Sequence, residues 1–207
     1  MLPSPATDAR EPKMKRLLLA AILLASTAMA QDRPPPAEDP LPLIEEAGAA
    51  WKAGEIGHAR RALEQATRSV AAKHAAALLG FLPQPFDGWT VSDGAVADAS
   101  MLILGGGITL DRTYNDASGN DVRLEIIADS DLVAQMADMY ADVQTLAAMG
   151  MKTETIGGET AIVEPGGGKY TFIIDKRTLV TVSGSAAEDV RKSYAENINF
   201  AGLKALK

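Results

Sequence analysis

The sequence predicts an α+β protein: an N-terminal helical hairpin followed by an antiparallel sheet with two helices on one face. Three observations carry this. Apolar residues recur at steps of three and four over residues 43–80, the spacing of one helix face. From Thr90 the period changes to two, in short runs separated by turn residues. Those runs lie too close together for crossover connections, so neighbouring strands must pair antiparallel.

The chain begins with an export address. Met14-Lys15-Arg16 is a basic start, residues 17–25 (LLLAAILLA) are a short apolar run, and Ala28-Met29-Ala30 precedes Gln31 as a small-x-small cleavage pattern. The run is well short of the roughly 20 residues that span a bilayer. Residues 1–30 are therefore expected to be a signal peptide cleaved after Ala30. Residues 1–13, with Asp8, Glu11 and three prolines, are unlike a signal start, which points to Met14 as the true first residue. Residues 31–42 (QDRPPPAEDPLP) read as an extended, solvated linker.

The hairpin, residues 43–80, has two parts. Leu43, Ala47, Ala50 and Trp51 share a face of a short helix that ends before Gly54, with Glu45 and Glu46 expected in its first turn. Ile56, Ala59, Leu63, Ala66, Val70, His74 and Ala77 share a face of a longer one. Residues 81–89 (FLPQPFDGW) break the pattern at Pro83 and Pro85, and Phe81, Phe86 and Trp89 are expected to clasp the hairpin to the sheet domain.

Residues 81–207 are expected to form the α+β sandwich. Residues 108–114 and 121–128 alternate around a turn-rich loop and read as a strand hairpin. Asp129-Ser130-Asp131 offers an N-cap to a helix over 131–149, with the stripe Leu132, Met136, Met139, Tyr140, Val143 and Leu146 and with Gly150 as its C-terminal stop. Four strands come next, near 151–156, 159–164, 169–174 and 178–183. Ser185-Ala186-Ala187-Glu188 has the form of a capping box for a last helix over 186–200.

Gly54-x-Ile56-x-x-Ala59-x-x-x-Leu63-x-x-Ala66 resembles one tetratricopeptide repeat, in which small residues let two helices approach closely. There is no second copy, and a lone repeat leaves a face unburied. The order of sheet and helices is similar to the PsbP-type α+β sandwich. Leu82-Pro83 with Gly88-Trp89, Gly105-Gly106-Gly107, Ile127-Ala128-Asp129-Ser130 and Leu179-Val180-Thr181-Val182-Ser183-Gly184 resemble a group of proteobacterial exported proteins over residues 81–200. That resemblance implies export to the periplasm and implies no reaction.

The composition narrows the chemistry. The chain has no cysteine, which excludes disulfides, zinc–thiolate sites, cysteine nucleophiles and a lipidated N-terminal cysteine. Residues 31–207 hold 16 basic and 25 acidic residues, so an anionic polymer or lipid has no electrostatic reason to bind. The two histidines, His58 and His74, both lie in the hairpin and are too far apart for one-helix zinc spacing. Neither Gly105–Gly107 nor Gly166–Gly168 opens a helix as a phosphate loop does. Asp116, Asn120 and Asp121 miss the EF-hand pattern. Met101, Met136, Met139, Met149 and Met151 could ligate copper(I) but read first as core fillers.

The expectation is an exported, non-enzymatic protein without a cofactor. It would bind a protein partner or a small ligand in the periplasm or outside the cell. The candidate docking residues are Trp51, Arg60, Arg61 and Arg68, because the hairpin is locally basic beside an acidic sheet domain. The alternative is a small periplasmic enzyme or metal-binding protein using carboxylates in a cleft between sheet and hairpin.

Overall fold

The computed structural model describes residues 39–94, 97–98 and 107–206. The leader, most of the linker, Met101 and Gly105-Gly106 lie outside the described residues. Helices α1 (Leu41–Lys52) and α2 (Ile56–Leu79) form the expected antiparallel hairpin. Strands β1 (Thr90–Asp93), β2 (Ala97–Asp98), β3 (Ile108–Asn115) and β4 (Asp121–Ala128) come after it. Next come α3 (Asp131–Tyr140), α4 (Val143–Ala148), β5 (Lys152–Ile156), β6 (Glu159–Val163), β7 (Tyr170–Ile174), β8 (Thr178–Ser183), α5 (Glu188–Glu196) and α6 (Phe200–Ala205). The class is α+β, and every described strand pairing is antiparallel.

The strands run in the order β1-β3-β4-β8-β7-β6-β5, with β2 also on the outer side of β3. The register slips by one residue between Asp93↔Arg112 and Ala97↔Thr109. Register also fixes which side chains share a face. Leu110, Tyr114, Val122, Leu124, Ile126, Val180, Val182, Tyr170, Phe172 and Ala161 point the same way and are buried. Tyr194, Ala195 and Ile198, with Phe200 and Leu203 of α6, cover them, joined by Ala75 and Leu78 from the last turns of α2. The buried residues of α3 and α4 (Val133, Ala137, Leu146) lie outside that cluster, as do Ile162 and Leu179 on the reverse face of the sheet.

The 81–89 segment does clasp. Tyr114 donates its hydroxyl hydrogen to the Pro83 carbonyl at 2.6 Å, and the Phe86 amide donates to the Tyr194 hydroxyl at 3.2 Å. Arg112 grips Asp93 with two nitrogens (2.5 and 3.1 Å) and donates to the Leu79 carbonyl at the end of α2 (3.2 Å), where the helix dipole favours a cation.

Local chemistry overturns several expectations. The 131–149 helix breaks after Tyr140, because Asp142 caps a new helix: its carboxylate accepts from the Gln144 amide (2.9 Å) and the Thr145 hydroxyl (2.7 Å). The 186–200 helix likewise becomes two, with Asn199 accepting from the Gly202 amide at 2.9 Å. Ser185 is not a helix cap. Its hydroxyl binds Asp121 at 2.5 Å, and α5 starts only after Ala187. Beside it Gly184 has φ +131°, and a side chain there would collide with the Asp121 carbonyl. Met139 is exposed and Met136 half-buried, so the face of α3 that turns inward is Val133–Ala137 rather than the methionine stripe. α1 starts at Leu41 with Pro42 in its first turn, which moves Glu45 and Glu46 to the second.

Candidate functional site

The hairpin is built on small residues. Ala47 and Ala50 of α1 meet Ala59, Ala62 and Ala66 of α2, and all five are buried. Gly54, at φ +80°, makes the turn between the helices, closed by Glu55 N–H donating to the Ala50 carbonyl at 2.9 Å. Only the C-terminal end of α2 enters the sheet core, at Ala75 and Leu78.

His58 ties the two helices together. Its Nε2 lies 2.6 Å from Glu46 and its Nδ1 3.2 Å from Glu55. Hydrogen bonds to Glu46 and then Glu55 hold the imidazole above its ordinary value. A raised folded-state value stabilises at pH below about 6.5 and loses that contribution as pH rises through the folded value. His58→Gln is therefore expected to speed amide exchange in α1 relative to the unmodified chain at pH 5.5. The difference should shrink by pH 8.5, and a difference independent of pH would refute the ion pairing.

The apolar stripe on α2 does not close into a core. Trp51 is 67% exposed, Ile56 64%, Leu63 52% and Val70 50%, and Leu41 and Ile44 are also in water. Ile44, Ala47, Gly48, Trp51, Ala59 and Leu63 line a groove of about 260 Å³. None of them brings a charged side chain, and among these six only Trp51, through its indole N–H, carries a side-chain hydrogen-bonding group. Among the described residues nothing stands within contact distance above Gly48. Large side chains thus flank a small-residue floor.

The docking residues expected from sequence do not act together. Trp51 belongs to the groove. Arg60 is four residues after Ile56 and three before Leu63, so it shares their strip, and it pairs with Glu64 at 2.5 Å. Arg61 and Arg68 are exposed on a strip turned well away from it. The residues missed from sequence are Ile44, Gly48 and Leu63. The signal for Leu63 was its spacing of seven with Ile56 and Val70, read as an inward face, and that for Ile44 and Gly48 was their steps of three and four between Leu41 and Trp51.

A second feature lies between α2 and the sheet. His74 Nε2 is 3.8 Å from Asp129 Oδ2, and Asp129 accepts from Arg177 at 2.6 and 3.0 Å. Asp129 has φ +55°, an unusual backbone for a non-glycine residue. Asp175 and Lys204 also line this cleft, with Thr178 and the apolar side chains of Leu78, Ile174, Leu203 and Leu206. The free space is about 20 Å³, enough for one water.

The carboxylates of the β3–β4 loop are held by internal hydrogen bonds. Asp116 accepts from the Ser118 and Asn120 amides at 2.8 Å each and from the Asn120 side chain at 2.7 Å, which holds its carboxyl below the usual range. Asp121 is turned to Ser185. Among the described residues no three His, Asp or Glu side chains gather as a metal site. No described helix is long and apolar enough to cross a membrane. No protein family, curated protein or solved structure matches the chain.

Proposed function

We propose that the protein is an exported, non-enzymatic binding protein of the cell envelope whose helical hairpin docks an apolar helical surface of a protein partner. The observation that carries this is the open groove, with Trp51 and Leu63 mostly in water over an alanine and glycine floor. Side chains of this size are normally buried, and a contiguous exposed patch marks an interaction surface. The groove is smaller than the roughly 300–1,000 Å³ of small-molecule sites and offers only the Trp51 indole N–H to orient a ligand, which favours protein side chains over a small molecule. Export rests on the Met14–Gln31 leader pattern and on the resemblance to proteobacterial exported proteins.

The competing reading is an enzyme or metal-binding protein acting in the cleft between sheet and hairpin. It has its residues in His74, Asp129 and Asp175, but any substrate larger than water would require the cleft to widen.

Photo-crosslinking in the native host tests the docking. A benzophenone amino acid at Leu63 or Trp51 is expected to give discrete higher-mass adducts, and the same probe at exposed Ser92 on the sheet edge none. Absence of adducts at both hairpin positions would overturn the reading.

A further inference from the structure

We propose that the occupant of the hairpin groove is a second copy of this chain, so that two hairpins close into an antiparallel four-helix bundle. The proposal rests on the docking reading above and names its partner. Three observations carry it.

The first is area. Leu41, Ile44, Trp51, Ile56, Leu63 and Val70 are 46–67% exposed. Together they leave on the order of 600 Å² in water, at the top of the range for the largest patch on a monomer and about three-quarters of one partner's share of a standard interface. A self-complementary face of this size supplies most of a two-fold interface from one hairpin.

The second is charge distribution. Residues 81–207 hold 10 basic and 18 acidic residues, whereas residues 43–80 hold five and four. Two copies repel through the sheet domain and are nearly neutral at the hairpin. This is the part of the chain where self-association costs least electrostatically.

The third is local complementarity. Counting back from the turn at Gly54 puts Ile44 level with Leu63, and Gly48 with Ala59, to within one residue, and all four line the groove. A two-fold axis along the hairpin lays α1 of each copy antiparallel on α2 of the other with heights unchanged. Glu45 flanks the groove strip of α1, four residues after Leu41 and three before Gly48. Arg60 occupies the corresponding place on α2. Across the axis, Glu45 of one copy and Arg60 of the other fall within one helical turn, acid against base. Both interfaces then pair unlike strips, as an isologous contact demands.

The test is sedimentation equilibrium of the full chain, purified as its host processes it, with acrylamide quenching of tryptophan over the same concentrations. A concentration-dependent doubling of mass is expected, with Trp51 quenching falling as the dimer forms. Leu63→Glu is expected to return the monomer with an unchanged circular dichroism spectrum, since Leu63 is exposed in the single chain. Glu45→Arg and Arg60→Glu should each weaken the dimer by about tenfold, there being two such contacts per dimer, and the double variant should recover most of it. A dimer indifferent to Leu63→Glu would overturn the proposal. So would a monomer at every concentration with Trp51 freely quenched. In that monomer, adducts from Leu63 to a different protein would keep the docking reading and remove only self-association. Absence of all adducts would remove both.

Discussion

Tyr194→Ala is expected to lower the unfolding free energy by about 3–5 kcal/mol, the range for removing a large aromatic from a close-packed core. The Tyr194 ring is fully buried and is the hub of the core's aromatic cluster. It stacks on Phe86 at 4.0 Å, meets Trp89 edge-on at 5.6 Å and lies 4.3 Å from Tyr114. Phe86 and Trp89 belong to the 81–89 segment, Tyr114 to β3 and Tyr194 to α5. One side chain therefore joins the linker, the sheet and the covering helix. Truncation opens a cavity that none of the three can close alone. Tyr194→Phe isolates the hydroxyl. Its hydrogen bond from the Phe86 amide is long at 3.2 Å, so the loss should be nearer 1 kcal/mol. Urea unfolding monitored by near-ultraviolet circular dichroism separates the two. Similar losses for both variants would place the energy in the hydroxyl rather than in the packing.

How much of the fold was legible in the sequence depends on whether the deciding interaction is local. Ser130 caps α3 by accepting from the Leu132 amide, two residues away, and that cap was readable from Asp129-Ser130-Asp131. Strand limits in β3 and β4 came from alternation, because one buried face imposes period two, whereas those of β5 to β8 came from the turn residues between them, since β7 and β8 are buried on both faces. Ser185 had the local form of a cap, but Asp121, 64 residues earlier, claims its hydroxyl. Asp142 was hidden because the apolar spacing continues across it.

The hairpin gives the sharper lesson. Periodicity showed that Ile56, Leu63 and Val70 share a strip, and nothing in it says whether that strip meets a core or water. Burial is decided by reach. α2 is 24 residues long, and its interior contacts with the sheet are near its C-terminal end at Ala75 and Leu78. At 1.5 Å per residue, Leu63 stands about 20 Å from Leu78 along the axis. The fold leaves this strip beyond the sheet's cover, and the candidate site exists because of that overhang.

Arg191→Met is the second large effect, with an expected loss of about 3 kcal/mol, since truncation strips donors from one buried and two part-buried carbonyls at once. Arg191 is a buried cation within α5. Its guanidinium donates to the Gly184 carbonyl at 3.1 Å, to the Ala186 carbonyl, and to the Gly167 carbonyl at 2.7 Å. Those acceptors belong to two different loops, β8–α5 and β6–β7. Neither loop has a regular ladder at those carbonyls, so the buried arginine supplies their donors. Its position in the sequence carried a signal: Arg191, Tyr194, Ala195 and Ile198 share one helical strip, which puts a cation among residues that face the core. Arg191→Lys tests geometry against charge. An ammonium keeps the charge but cannot fork across separated carbonyls, so lysine should recover little of the loss. The neighbouring Lys192→Met also removes a cation and an ion pair with Glu154, but at the surface, and its thermal midpoint should barely move. If Arg191→Lys restored full stability, or Lys192→Met cost as much as Arg191→Met, the positive charge rather than the three-carbonyl clasp would be what holds the two loops together.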